Sequence, residues 1–462
     1  MNEYISTLIE QQHAFFSQGS TRDITFRMQQ LIRLKEVIIS HKEEILTALA
    51  TDLNKPNFEA YTNEIAPLLS SINHVLGCLG EWCKPIPVKT PLIFLPARSM
   101  ITYEPYGLTL IISPWNYPFH LSLEPLIGAI AAGNCAIIKP SEYAPASSAV
   151  IEKIIRTAFP SVYIAVVIGD GTIAEELLSH QFDYIFFTGS SAVGKKVMQA
   201  ASLRITPLTL ELGGKSPCIV SNDAHLKSSA KKIVWAKFLN AGQSCVAPDY
   251  LLVDASVKEE LITYMKQYIT DFFGGNPLHS PDYGRIINQK QLTRLKELLQ
   301  NGTVRHGGTI VEQERYIAPT LLDEVPLDAT SMQEEIFGPI LPIISYTSIT
   351  KAVDIIKRLP KPLAIYVFTN SKQVQNIITS QTTSGALCIN EIMVQAASPY
   401  LPFGGVGASG FGRYHGKKSF ETFSNMRTII KSLSFCSLPF RYPPYRWFHR
   451  WFRALYDLIL KR

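Results

Sequence analysis

The chain has 462 residues, 46% hydrophobic and 18% charged, with a formal net charge of +6; that is the balance of a folded globular protein with two domains and a smaller element. The charge is mild and no basic block dominates before the C-terminus, which speaks against a nucleic-acid partner. Seven cysteines lie scattered without CxxC pairs, and the ten histidines form no HxxxH or HxH pair, so neither a disulfide framework nor a metal site is expected.

In chain order, residues 26–49 place Leu31, Leu34, Ile38, Ile45, Leu46 and Leu49 at helical spacing, which predicts one amphipathic helix. The Pro-rich stretch 84–96 reads as an extended insertion. From residue 108 short apolar runs alternate with helical stretches: strands at 108–113, 135–140, 164–169 and 184–190, and helices at 121–132, 146–158 and 172–179. Strands that are apolar on both faces and alternate with helices build a parallel sheet, and ligands of such sheets sit at the strands' carboxyl ends. Asn116, Lys139, Glu142, Thr188 and Ser190 fall at those ends. After LELGGKSP (210–217) the alternation restarts, with a helix near 226–239, a strand at 250–253 and a helix at 256–272, a second α/β unit. The start, MNEYISTLIEQQ, has no signal-peptide pattern and no run is long and apolar enough to span a bilayer, so a reducing, cytoplasmic setting is the expectation.

Three residues carry chemistry of their own. Cys245, in NAGQSCVAP, follows Gly242, Gln243 and Ser244, a small polar approach to a thiol that becomes a strong nucleophile when accessible and activated; the bland alternative is a packed cysteine. Glu211 ends an apolar run just before two glycines, which turn the chain and keep side chains off the carboxylate; a desolvated carboxylate has a raised pKa and serves as a general base. Alone, it would more often be a solvated strand end. Asn116, in ISPWNYP, is either a turn residue or an amide donor for an oxyanion.

Together PWNYP, LELGGKSP, GQSCVAP and EEIFGP (334–339) resemble the aldehyde dehydrogenase superfamily, in the same order and with similar spacing, over about residues 20–432. LPFGGVGASGFGRYHG (401–416) and the short N-terminus resemble its class 3 branch, which includes fatty and aromatic aldehyde dehydrogenases. The resemblance implies an α/β fold with a parallel-sheet NAD(P)-binding domain (1–83 and 104–211), a second α/β catalytic domain (212–401) and a small β oligomerisation element (84–103 and 402–432). It implies that Cys245 attacks an aldehyde, that Asn116 and the Cys245 backbone N–H hold the oxyanion, and that Glu211 activates water to hydrolyse a thioester. Lys139 and Glu142 would bind the adenosine ribose. Gly189, Ser190 and Gly194 would form the phosphate turn, a G-x4-G variant in place of GxGxxG, and Glu335 and Phe337 would hold the nicotinamide ribose. A carboxylate such as Glu142 beside the ribose favours NAD over NADP, although this branch often accepts both. Medium- or long-chain aliphatic or aromatic aldehydes are the implied substrates, with Tyr61 and Tyr117 as tunnel candidates, and a homodimer is the implied assembly.

Other readings compete. GSSAVGKK (189–196) is one residue from a phosphate-binding P-loop, but Lys196 stands where a magnesium-binding hydroxyl is required. Acyl transfer to coenzyme A or phosphate would keep the thioester and change the acceptor; a water-activating Glu211 favours hydrolysis. A silent scaffold would have no need of Cys245, Glu211 and Asn116 together. In the tail, 433–462, residues 446–462 interleave Trp447, Phe448, Trp451, Phe452, Leu455, Leu458 and Ile459 with arginines. Docking of this helix on the protein or across a dimer is the favoured reading; peripheral contact with a membrane surface is the second.

Overall fold

The structure, a computed structural model, describes residues 2–91, 94–434 and 442–444. They fall into two units, Met1–Trp82 with Glu104–Asn425, and Cys83–Tyr103 with the described part of Met426–Arg462.

The first unit contains two large sheets. One has six strands in the order Gly410–Phe411, Leu208–Leu212, Tyr184–Gly189, Leu108–Ile112, Cys135–Lys139 and Ile164–Val166. Every neighbouring pair is parallel except the Gly410–Phe411 edge. Leu108–Ile112 and Cys135–Lys139 are buried along their whole length, as strands covered by helices on both faces must be. The connecting helices start where local chemistry predicts. Pro118 and Pro145 stand in first turns, where a missing N–H costs nothing, and the Asp170 and Ser190 side chains accept from Thr172 N and Val193 N.

The second sheet has seven strands in the order Thr303–His306, Thr320–Asp323, Ile340–Tyr346, Tyr250–Asp254, Pro217–Val220, Ala364–Phe368 and Ala386–Ile389. It is parallel except for its first strand. The restart of the alternation after residue 217 is therefore a second α/β sheet. In addition, Ile86–Val88, Arg98–Pro105 and Ser424–Lys431 form a small three-stranded sheet.

Two local expectations need correction. The single helix over 26–49 is two helices, Ile24–Ser40 and Lys42–Leu53. At the junction Ser40 Oγ donates to Val37 O at 2.9 Å and His41 Nδ1 lies 2.9 Å from the same carbonyl, so side chains compete with the helix ladder there. The strand expected at 164–169 stops at Val166, because the chain turns through Gly169, packed on Ile173, into the helix Gly171–Ser179. Among the described residues no helix is long and apolar enough to cross a membrane. The amphipathic segment 446–462 lies outside the described residues.

Candidate active site

Cys245 sits on a loop that leaves the helix Leu226–Phe238 through three consecutive left-handed residues, Asn240 (φ 52°), Ala241 (φ 51°) and Gly242 (φ 75°). A Cβ on Gly242 would stand 2.3 Å from the Gly338 carbonyl oxygen, so glycine is required there on both counts. Gln243 is not the polar approach expected of it. It is fully buried and clamps the loop: Nε2 donates to Asn240 O and Arg285 O, both at 2.9 Å, and Oε1 accepts from Ile287 N at 2.9 Å. Beyond the cysteine, Tyr366 Oη donates to Val246 O at 2.6 Å and Asp249 N to Ser216 O at 2.8 Å. Every residue of 241–250 is buried except Cys245, which is partly accessible. The loop thus presents one atom of interest, the sulfur.

Burial pushes the Cys245 thiol up to about 12, with the Glu335 and Glu211 carboxylates adding to the rise, while the backbone N–H groups of Cys245 and Val246 draw it back. The unliganded sulfur therefore rests as a thiol, and its proton must leave before it attacks.

Asn116 is buried and reaches the same loop from the first sheet: its Nδ2 donates to Gln243 O at 3.1 Å, two residues before Cys245. The Asn116 carbonyl accepts from Asn240 Nδ2 and from Lys55 Nζ, both at 2.9 Å. Lys55 in turn pairs with Glu64 at 2.6 Å, and both side chains are fully buried. Burial raises Glu64, whereas Lys55 and the Phe119 and His120 N–H groups draw it back. Sequence reasoning missed Lys55, Glu64 and Asn240. A lysine and a glutamate nine residues apart carry no local signature, and only the packed helices show their target. Tyr117, the next residue, has its phenol pushed well up by burial, with Glu59, Cys245 and Glu64 adding to it. Tyr61 is instead 38% exposed.

Glu211 lies at the end of Leu208–Leu212, in register with Thr188 on one side and Gly410 on the other. Both its carboxylate oxygens are buried without a hydrogen-bond partner among the described residues. Burial raises it well above the usual carboxylate range, and Arg413 draws it back. The glycine that makes room for it is not in the expected place. A Cβ on Gly404 would stand 2.7 Å from Glu211 Oε1, whereas a Cβ on Gly213 would overlap the carboxylate of Glu335. Gly213 thus accommodates Glu335, and Gly404 in the Gly-rich segment near the C-terminus accommodates Glu211.

Glu335 is pushed to about 8, by burial first and Asp249 second. Its loop is fixed by Arg294, which donates to Glu335 O at 3.2 Å and Ile336 O at 2.6 Å, and by Asp249 Oδ1, which accepts from Ile336 N at 2.9 Å. Phe337, left-handed at φ 49°, meets Trp115 edge-on with ring centroids 5.3 Å apart. The EEIFGP and PWNYP segments therefore touch.

The remaining predicted residues cluster at strand ends of the six-stranded sheet. Lys139, almost fully buried, pairs at 2.7 Å with Glu142, whose side chain is 33% exposed. Gly189 ends its strand and Ser190 caps the helix Ser191–Ser202. Gly194 is buried against Leu212, where a Cβ would stand 2.7 Å from Leu212 Cδ2, so this glycine lets the helix lie close on the strand. A helix N-terminus favours an anion, and among the described residues the neighbouring Thr188 Oγ1 is buried without a partner. Carboxyl ends of parallel strands, a helix N-terminus, a buried cation and an unsatisfied hydroxyl suit a dinucleotide. Among the described residues no group of three His, Cys, Asp or Glu side chains could hold a metal ion.

Residues 2–429 match the model of the aldehyde dehydrogenase family. The chain is 48% identical to the 4,4'-diaponeurosporen-aldehyde dehydrogenase of Staphylococcus aureus over 445 residues, 96% of this chain and 97% of that one. It is 43% identical to the rat (Rattus norvegicus) dimeric NADP-preferring aldehyde dehydrogenase over 430 residues, 93% of this chain and 95% of that one. Its fold superposes on the solved substrate-bound Staphylococcus aureus AldH with a TM-score of 0.96 and 47% identity, covering 98% of this chain and 99% of that one.

Proposed function

Since the chain belongs to the aldehyde dehydrogenase family, an NAD(P)-linked oxidoreductase acting on aldehydes, we propose that it oxidises them to carboxylic acids through a thioester on Cys245. The observation that carries this reading is the solitary accessibility of Cys245 in an otherwise buried loop tied to Asn116. The thiol passes its proton to water and the sulfur adds to the aldehyde carbon, the C=O π pair moving onto oxygen, where the new oxyanion is met by the second N–H of the Asn116 amide and by the Cys245 backbone N–H. Bound NAD or NADP supplies the hydride acceptor that turns this adduct into a thioester. Glu211, once ionised, takes a proton from water, which then releases the acid. A carboxylate held without partners in a buried site is strongly basic when charged, as this step needs.

The six-stranded sheet is the cofactor-binding part in this reading. Lys139 and Glu142 hold the adenosine ribose, Gly189, Ser190 and Gly194 the phosphates, and Glu335 and Phe337 the nicotinamide ribose. Glu142 favours NAD, with NADP also accepted. Tyr61 and Tyr117 contribute aromatic rings to a tunnel suited to medium- or long-chain aliphatic or aromatic aldehydes. The rat relative is named dimeric, and a homodimer is proposed here too, with 84–103 and 402–432 contributing.

The test is NADH and NADPH formation over a panel of aliphatic and aromatic aldehydes. Wild-type protein should turn over apolar aldehydes, and Cys245→Ala should abolish turnover while cofactor binding, read by fluorescence quenching, stays near normal. Turnover retained in Cys245→Ala would sink the thioester route.

A further inference from the structure

Asn116 is held from behind by charge. Lys55 Nζ donates to the Asn116 carbonyl at 2.9 Å and to Glu64 Oε1 at 2.6 Å, and stands 4.2 Å from the centre of the Tyr117 ring. The other carboxylate oxygen of Glu64 accepts from Phe119 N at 3.1 Å and His120 N at 3.0 Å, the opening turn of the helix Pro118–Ala132. Four consecutive features of one segment are therefore fixed from one ion pair: the Asn116 carbonyl, the Tyr117 ring and two orphan N–H groups of the helix start. Asn240 holds the same carbonyl from the cysteine loop at 2.9 Å, so Lys55 and the nucleophile's loop share an acceptor.

A fully buried ion pair is a poor source of stability, because desolvating both charges offsets most of their attraction. What such a pair supplies here is position. Its partners are not scattered polar atoms but the stretch from the Asn116 carbonyl to His120 N, which begins at the residue whose amide reaches Gln243 O beside Cys245. An oxyanion donor contributes fully only when it is preorganised, since a donor that must reorient loses stabilisation in the transition state.

We propose that Lys55 and Glu64 are positioning residues for the Asn116 oxyanion donor, acting on aldehyde oxidation through the geometry of that amide. The proposal rests on the oxyanion role given to Asn116 above. Lys55→Met removes the charge and the hydrogen bond at similar length. Glu64→Gln keeps an acceptor for the helix N–H groups while removing the charge that orients Lys55.

The experiment is a double-mutant cycle of Lys55→Met and of Glu64→Gln with Asn116→Ala, reading kcat, KM and the pre-steady-state rate of NADH formation, with melting temperature alongside. The expected result is a loss of about tenfold or more in the rate of NADH formation for Lys55→Met and a smaller loss for Glu64→Gln, with little change in KM for the cofactor. In the Asn116→Ala background neither change should slow NADH formation further, because the group being positioned is gone. Losses that multiply unchanged in that background would overturn the positioning role, whatever the melting temperatures do. Should Lys55→Met fail to fold, the cycle with Glu64→Gln decides in the same way. If Asn116→Ala alone leaves NADH formation intact, the oxyanion assignment fails, a result distinct from independent losses.

Discussion

The two ends of the site are built differently. Around Cys245 nearly every constraint is a buried hydrogen bond to backbone: Gln243 to Asn240, Arg285 and Ile287, Asn116 to Gln243, Tyr366 to Val246. At the proposed cofactor end the constraints are a helix cap and an ion pair with one partner a third exposed. On the proposed reading, the contrast teaches that the groups of the chemistry are preorganised while the adenosine-ribose end is held by fewer buried hydrogen bonds. Bond making tolerates little displacement, whereas a cofactor must enter and leave. Substitutions at Asn116, Glu211 and Cys245 should then change rates, and those at Lys139, Glu142 and Ser190 should change affinities.

The sharpest test of that contrast is Asn116→Ala, expected to lower the rate of NADH formation about a hundred- to a thousandfold, as loss of one oxyanion donor does. A loss carried mainly by KM for the cofactor would break the comparison. Next comes Glu211→Gln, expected to lower kcat about a hundredfold by removing the base for hydrolysis. Stopped-flow absorbance should then show a rapid burst of NADH before a slow steady state; a uniformly slow trace would place Glu211 in acylation instead. The smallest effect is expected at the cofactor end. Glu142→Gln should improve the NADP to NAD ratio of kcat/KM by less than about fivefold, the range of a partly exposed ion pair, with kcat untouched. A fall in kcat there would mean that the cofactor end is as tightly coupled to chemistry as the sulfur end.

Much of the scaffold was legible because it is local. Runs such as 108–113 and 135–140 are apolar on both faces, as covered parallel strands are, and helical stretches alternate with them. The family motifs marked where to look for Cys245, Asn116 and Glu211. Local reading failed where two segments compete for one space. Gly213 reads as clearance for its neighbour Glu211, yet it is Glu335 that occupies the space and Gly404 that clears Glu211. Gln243 reads as a polar approach, yet it is a buried clamp. The break at His41 is invisible to periodicity because the apolar spacing continues across it.

What the sequence determined alone was the alternation of strands and helices from residue 108 and its restart after residue 217, the α/β class, and the segments that bear a nucleophile, an amide and a carboxylate, since periodicity acts over a few residues. Only the tertiary structure decided which of them meet, which glycine makes room for which carboxylate, and that Lys55 and Glu64 stand behind Asn116. Those relations depend on how two sheets and their helices pack, and packing joins residues that no local pattern connects.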